Sequence, residues 1–305
     1  MPEPGAGRYA PSPSGDLHLG NLRTALLAWA FARSTGRRFL MRVEDLDRVR
    51  PGAEQRQLDD LAAIGLDWDG PVVRQSERLP HYQDAIDRLT AAGRTYECFC
   101  TRKEIQQAAT APHGPLGAYP GTCRTLTDQA RMRFREQGRP AALRLRAAAT
   151  EFEIVDDLHG RYRAPVDDVV LRRGDGIPAY NLAVVVDDAA QGIDQVVRGD
   201  DLLPSTPRQA YLATLLGLPV PHYAHVPLVL NAEGQRLAKR DGAVTLTDQR
   251  ALGNTPDQVV AALADSLGYP VTSAAALLDS FDPAHLPREP WILDGNGLLQ
   301  RSRCP

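Results

Sequence analysis

Lysine is nearly missing from this chain: Lys103 and Lys239 stand alone, although lysine and arginine together number 35 in 305 residues. A composition bias accounts for that. It also makes each surviving lysine a place where a compact ammonium serves better than a wide, planar guanidinium. Long apolar runs are missing too. Leu182–Val186 and Pro227–Leu230 are only strand-sized, which excludes a bilayer-spanning helix among them. The start, Met1-Pro-Glu-Pro-Gly, lacks a basic stretch followed by an apolar one, so no export signal is read and the expected location is cytoplasmic. Cysteine is sparse: Cys98, Cys100, Cys123 and Cys304. Three of them lie close together in a chain with no export signal, which favours metal binding over a disulfide framework. The net charge of −3 argues against a generally basic, nucleic-acid-coating surface. Between Arg131 and Arg173, ten arginines against seven acidic residues leave room for a local basic patch.

What is present is the composition of an ordinary globular protein, 43% hydrophobic and 24% charged, long enough for one large core with appendages. Residues 7–13 read as a strand running into a Pro/Gly-rich turn. Leu22–Arg33 follows as a helix with Leu22, Ala25, Leu26, Trp29 and Ala30 on one face. Phe39–Val43 is a second strand, and Ala53–Ile64 and Pro80–Ala92 are further helices. This strand–helix–strand start predicts a βαβ unit and a parallel sheet. From Thr95 the texture changes to Cys, Pro, Gly and Thr, so the segment to about Pro178 reads as an insertion. The α/β pattern resumes with the apolar run Asn181–Val186, a strand at Gly192–Val197, a helix at Thr206–Leu216 and a strand at Val226–Leu230. Beyond these, Thr255–Leu267 is one clear helix, and the Pro-rich tail is expected to pack loosely.

Three constellations carry chemistry. The first is Pro11-Ser-Pro-Ser-Gly-Asp-Leu-His-Leu-Gly-Asn21, ending where the first helix begins. The free N–H groups and positive dipole end of that helix suit a phosphate. His18 can donate to an oxygen whose charge grows as a leaving group departs, and the small Gly20 lets a ligand approach the backbone. The second is Arg236-Leu-Ala-Lys-Arg240, three cations in a loop after a strand, able to close over a triphosphate. The third is Cys98-x-Cys100 with Tyr119-x-x-x-Cys123. Three thiolates can converge on a tetrahedral Zn²⁺, leaving the fourth ligand to Tyr119 or His113.

Together these motifs resemble the class I aminoacyl-tRNA synthetases of the glutamyl/glutaminyl group. His18-Leu-Gly-Asn21 is similar to that family's HIGH motif, and Arg236-Leu-Ala-Lys-Arg240 to its KMSKS motif. Arg8-Tyr-Ala-Pro-Ser-Pro-Ser-Gly, Arg42-Val-Glu-Asp45, Tyr180-Asn-Leu-Ala-Val-Val-Val-Asp-Asp188 and Val197-Arg-Gly-Asp-Asp-Leu202 resemble its other markers, across Gly7 to Leu246. Asn21 stands where the generic motif has a second His. Arg236, Ala238 and Arg240 depart from the lysine-loop pattern, while Lys239 is kept.

The resemblance implies a ligase with a Rossmann-type catalytic domain in two halves, 1–95 and 179–250. An insertion at 96–178 would carry the zinc site and acceptor-side contacts. A short helical segment at 251–305 would follow, with no anticodon-binding domain. It implies His18 and Lys239 as catalytic residues. Pro11, His18, Gly20, Asn21, Arg236 and Lys239 would bind ATP, with Mg²⁺ as counterion. Arg8, Ala10, Ser12, Glu44, Tyr180 and Arg198 would bind glutamate, whose two carboxylates and one ammonium call for cations and one anion. Cys98, Cys100, Tyr119 and Cys123 would hold one structural Zn²⁺. With about 57 residues after Asp248, the chain resembles a shortened branch of the family. That branch activates glutamate without tRNA and esterifies it onto the queuosine base of tRNA(Asp). A monomer is expected. A minimal enzyme charging tRNA(Glu), a related nucleotidyltransferase and a non-enzymatic binding protein are the alternatives.

Overall fold

The computed structural model describes residues 5–101, 103–105, 119–237, 242 and 244–293. The first half contains β1 (Ala6–Tyr9), α1 (Leu19–Ser34), β2 (Arg38–Val43), α2 (Ala53–Ala63), β3 (Val73–Arg74) and α3 (Leu79–Ala91). The middle contains β4 (Thr95–Cys98), α4 (Asp128–Glu136), β5 (Ala142–Leu145), β6 (Glu151–Asp156), β7 (Gly160–Pro165) and β8 (Val170–Arg172). The remainder contains α5 (Tyr180–Ala190), β9 (Ile193–Gly199), α6 (Thr206–Leu216), β10 (His222–Val226) and β11 (Val229–Leu230). It ends with α7 (Leu246–Ala251), α8 (Pro256–Asp265), α9 (Ala274–Ser280) and β12 (Trp291–Ile292).

Seven strands form the main sheet in the order β3-β2-β1-β9-β10-β6-β7. All neighbours are parallel except the β6–β7 hairpin. The order departs from β1 in both directions, so the strand ends beside it open a crevice of the kind in which doubly wound sheets bind ligands. The segment 96–178 is shared between two sheets. β4, β5 and β8 make their own three-stranded sheet, whereas β6 and β7 extend the main one.

Helix α1 carries the core. Every residue from Leu19 to Ala32 except Asn21 and Thr24 is buried, so its apolar surface is a full circumference rather than the single face its spacing predicts. One side packs on β1, β2 and β9. The other receives α8 and α9, with the Phe31 and Phe281 rings edge-to-face at 5.2 Å. The Pro-rich tail is therefore not loose over its described part: β12 pairs in parallel with β11. Two further segments are clarified, the second as a correction. The strand-sized apolar run Asn181–Val186, left without an element type by the sequence, lies in helix α5, where its valines meet α3, α6 and β8 and are buried together. Val226–Leu230 is not one strand: Pro227, which has no N–H to donate, separates β10 from β11.

Candidate active site

A cavity of about 740 Å³ opens beside the ends of β1 and β9. Arg8, Ala10, Pro11, Ser12, His18, Gly20, Asn21, Glu44, Tyr180, Arg198 and Arg236 all line it. Of the residues assigned to ATP or glutamate from sequence, only Lys239 is not placed there; with Ala238 and Arg240 it lies outside the described residues.

The turn after β1 is held from behind. Buried Gln57 on α2 donates from Nε2 to the carbonyls of Ser12 (3.0 Å) and Gly15 (2.6 Å). The Glu44 and Arg50 amides donate to the Pro11 and Pro13 carbonyls. The chain then enters α1 through a capping box. The Asn21 amide donates to His18 Nδ1 and the His18 amide donates to Asn21 Oδ1, both at 3.2 Å. Asn21, which stands where the motif has a second His, thus completes the cap. Since Nδ1 accepts, the imidazole proton sits on Nε2, available to the cavity. Burial, then the Arg236 charge, push His18 down to about 4, so it is a neutral donor. A Cβ on Gly20 would come within 3.2 Å of the His18 ring and of Val229; the glycine makes room for the imidazole as well as for a ligand.

Behind the cavity on the β2 side lies a charge-balanced network. Asp188 accepts from Arg8 Nε (3.2 Å) and Arg42 Nη1 (2.8 Å). Neighbouring Asp187, fully buried, accepts from Arg78, Gln75 and the Tyr82 hydroxyl at 2.6 to 2.9 Å. Glu44 Oε1 lies 3.6 Å from Arg42. Burial raises the Glu44 carboxyl against the pull of Arg42 and Arg8. Asp188 is held below the ordinary carboxylate range by Arg8 and Arg42, which overcome its burial. Asp45, next to Glu44, turns away and accepts from Ser76.

Arg198, 6% exposed, is held differently. Its Nε donates to His225 Nε2 (3.1 Å), and its Nη2 donates to Thr206 Oγ1 (2.8 Å) and Gln209 Oε1 (2.7 Å). None of these carries negative charge, and among the described residues Arg198 has no carboxylate partner. Arg236 pairs with Asp201 at 2.9 Å. The chain beyond its loop returns to the His18 turn, where the Leu19 amide donates to the Val244 carbonyl (2.7 Å).

Several residues of the site have no role that the sequence shows. Arg42, Asp187 and Asp188 were quoted in motifs without a role; adjacent acids after an apolar run were the available signal. Arg48 and Arg50 also line the cavity. Arg48 holds a left-handed backbone (φ 54°), unusual without glycine and invisible in the sequence. The Arg131–Arg173 excess is largely spent internally: Arg131, Arg135, Arg139, Arg161, Arg163 and Arg173 pair with acidic residues.

In the β4–β5–β8 region the Sγ atoms of Cys98, Cys100 and Cys123 lie within 4.8 Å of one another. The Tyr119 hydroxyl sits among them, 3.3 Å from Cys98 Sγ, 3.7 Å from Cys100 Sγ and accepting from the Cys123 amide at 2.8 Å. The Arg144 guanidinium caps the Tyr119 ring at 3.6 Å. Tetrahedral Zn–S bonds of about 2.3 Å imply sulfur separations of about 3.8 Å. The cluster, with Cys100 and Cys123 at 3.4 Å, fits that scale. His113 and Cys304 lie outside the described residues.

Residues 6–285 match the family described as tRNA synthetases class I (E and Q), catalytic domain. The chain is similar to the glutamyl-Q tRNA(Asp) synthetase of Nocardia farcinica, 79% identical over 301 residues, 99% of this chain and 97% of that protein. It is also similar to the glutamyl-Q tRNA(Asp) synthetase of Cutibacterium acnes, 57% identical over 87% of this chain and 76% of that one. Among solved structures, a glutamate tRNA ligase from Elizabethkingia meningosepticum in complex with its amino acid superposes with a TM-score of 0.81. It is 29% identical over 95% of this chain and 67% of that chain. No helix among the described residues is long and apolar enough to cross a membrane.

Proposed function

The chain belongs to the class I tRNA synthetases of the glutamate and glutamine type, and from that premise we infer that it activates glutamate with ATP and passes it to the queuosine base of tRNA(Asp). The acceptor follows the relatives it resembles at 79% and 57% identity. The observation that carries glutamate is Arg198. A buried guanidinium with only neutral partners costs several kcal/mol of desolvation that no protein carboxylate offsets. A substrate carboxylate offsets it.

In this reading Arg198 takes the side-chain carboxylate, and Glu44, beside Ala10 and Ser12, takes the α-ammonium. Arg8 and the Tyr180 hydroxyl complete the pocket. An α-carboxylate oxygen bonds to the α-phosphorus of ATP while the bond from that phosphorus to the bridging oxygen of pyrophosphate breaks. His18 Nε2–H donates to the departing oxygens, and Arg236 and Lys239 add positive charge. Pro11, Gly20 and Asn21 form the floor at the start of α1. Mg²⁺, when bound with ATP, screens the phosphate charge. In the second step a hydroxyl of the queuosine cyclopentene ring attacks the acyl carbon and AMP leaves. Substrates such as ATP and tRNA suit the cytoplasm, and a monomer remains part of this reading.

Cys98, Cys100, Cys123 and Tyr119 would hold a single zinc ion that ties β4 to the 119–123 turn. Cys98→Ser is expected to abolish stoichiometric zinc, measured by metal analysis of the purified chain. Function is tested by tRNA-free, glutamate-dependent ATP–pyrophosphate exchange, followed by transfer of labelled glutamate. Labelling of tRNA(Asp) that carries queuosine, and not of the unmodified form or of tRNA(Glu), is the expected result; labelling of tRNA(Glu) instead would overturn it.

A further inference from the structure

The side chains that hold Arg198 form a continuous buried chain reaching into another part of the fold. Asp156 ends β6, at the turn of the β6–β7 hairpin. Its Oδ1 accepts from the Leu158 (2.9 Å) and His159 (3.0 Å) amides. Its Oδ2 accepts from the His225 amide (3.1 Å) and lies 2.6 Å from His225 Nδ1. With Nδ1–H committed to that carboxylate, Nε2 presents a bare lone pair, which accepts from Arg198 Nε. Gln209 is fixed similarly: its Nε2 donates to Asn181 Oδ1 at 2.9 Å, which turns its oxygen toward Arg198. Asp156, His225, Thr206 and Gln209 are all at most 2% exposed. Nε and Nη2 of Arg198 are thereby occupied, and Nη1 makes no protein hydrogen bond among the described residues.

We propose that Asp156 and His225, with Thr206 and Gln209, are positioning residues that determine specificity: they hold Arg198 through neutral acceptors alone, so that its full charge selects a substrate carboxylate over an amide. A carboxylate in the place of His225 or Gln209 would fix the same geometry while cancelling that charge. Asp156 is kept one imidazole away and is itself satisfied by four N–H donors. Geometry and charge are thus separated, which a direct Arg–carboxylate pair could not achieve.

The inference rests on the glutamate reading above, and exchange measurements separate the two. If the unaltered chain shows no glutamate-dependent exchange, the glutamate reading fails and this one with it. Given that exchange, three variants test the positioning set with glutamate and glutamine as competing substrates. Gln209→Glu keeps the shape and adds the missing charge; it is expected to raise KM for glutamate about tenfold or more, leave KM for ATP unchanged, and lower the preference for glutamate over glutamine at least as much. His225→Asn retains a donor for Asp156 and loses the acceptor for Arg198, with a rise in glutamate KM of about tenfold. His225→Gln retains an acceptor oxygen near the Nε2 position and should stay within about threefold of the parent. Retained preference in folded Gln209→Glu, equal effects of the two His225 variants, or a parallel rise in KM for ATP would each overturn the proposal. Should Gln209→Glu not fold, the His225 pair decides.

Discussion

The two sides of the cavity solve the problem of buried arginine in opposite ways. Toward β2, the guanidiniums of Arg8, Arg42 and Arg78 are interleaved with the carboxylates of Glu44, Asp187 and Asp188. Toward β10, Arg198 meets an imidazole, a hydroxyl and an amide. The first side is electrically complete as it stands; on the second, no described protein carboxylate balances the charge of Arg198. The difference separates arginines whose charge the protein itself balances from one whose charge it leaves unbalanced, although their sequence signatures are similar.

Breaking the balanced side should cost the fold most. Asp188→Leu leaves Arg8 and Arg42 facing each other without their shared acceptor, and a loss of about 3–5 kcal/mol in urea unfolding is expected. The other side should behave differently. Arg198→Met is expected to weaken glutamate binding about 100-fold in exchange kinetics, while thermal stability of the unliganded chain holds or rises, because an uncompensated charge has been removed from the interior. Should Arg198→Met unfold the chain and Asp188→Leu leave it intact, the contrast is wrong.

A smaller effect concerns protons. His18 is lowered to about 4 by burial and then Arg236, and His225 is lowered by burial despite Asp156. Both imidazoles bind protons more readily unfolded, with an ordinary value near 6.5. Stability of the unliganded chain should therefore be full above about 6.5 and decline as pH falls toward about 4. His18→Asn should flatten part of that slope in pH-dependent unfolding. The same depression means that His18 contributes no ionisation to the exchange rate between about pH 6.5 and 8.

The cavity was legible in the sequence because its lining residues sit in short contiguous motifs: His18 with Gly20 and Asn21, Arg8 with Ala10 and Ser12, Glu44 after a strand. The helix starts at Ala53 and Thr206 were legible for similar reasons, and that at Leu79 to within one residue, since caps and apolar periodicity are local. What supports the cavity was not. The valines of α5 favour strands by propensity, and read as a strand they would send Asp187 and Asp188 to opposite faces. As a helix they place both acids in the interior, each serving different arginines. Gln57, Gln209, Thr206 and His225 carry no motif at all. Their roles come from packing between elements far apart in the chain, and no spacing rule encodes them.

The tie between the Leu19 amide and the Val244 carbonyl, like that between Arg8 and Asp188 across 180 positions, has a consequence in time. At about 5–20 residues per second, the ribosome takes on the order of ten seconds or more to supply Asp188 after Arg8. The wall behind His18 comes later still. Until then the amino-terminal strand and turn exist without the partners that complete them. A chain stopped just before Val244 would carry most of the signature residues and no finished pocket, so the first motif to be synthesised is among the last parts of the enzyme to be assembled.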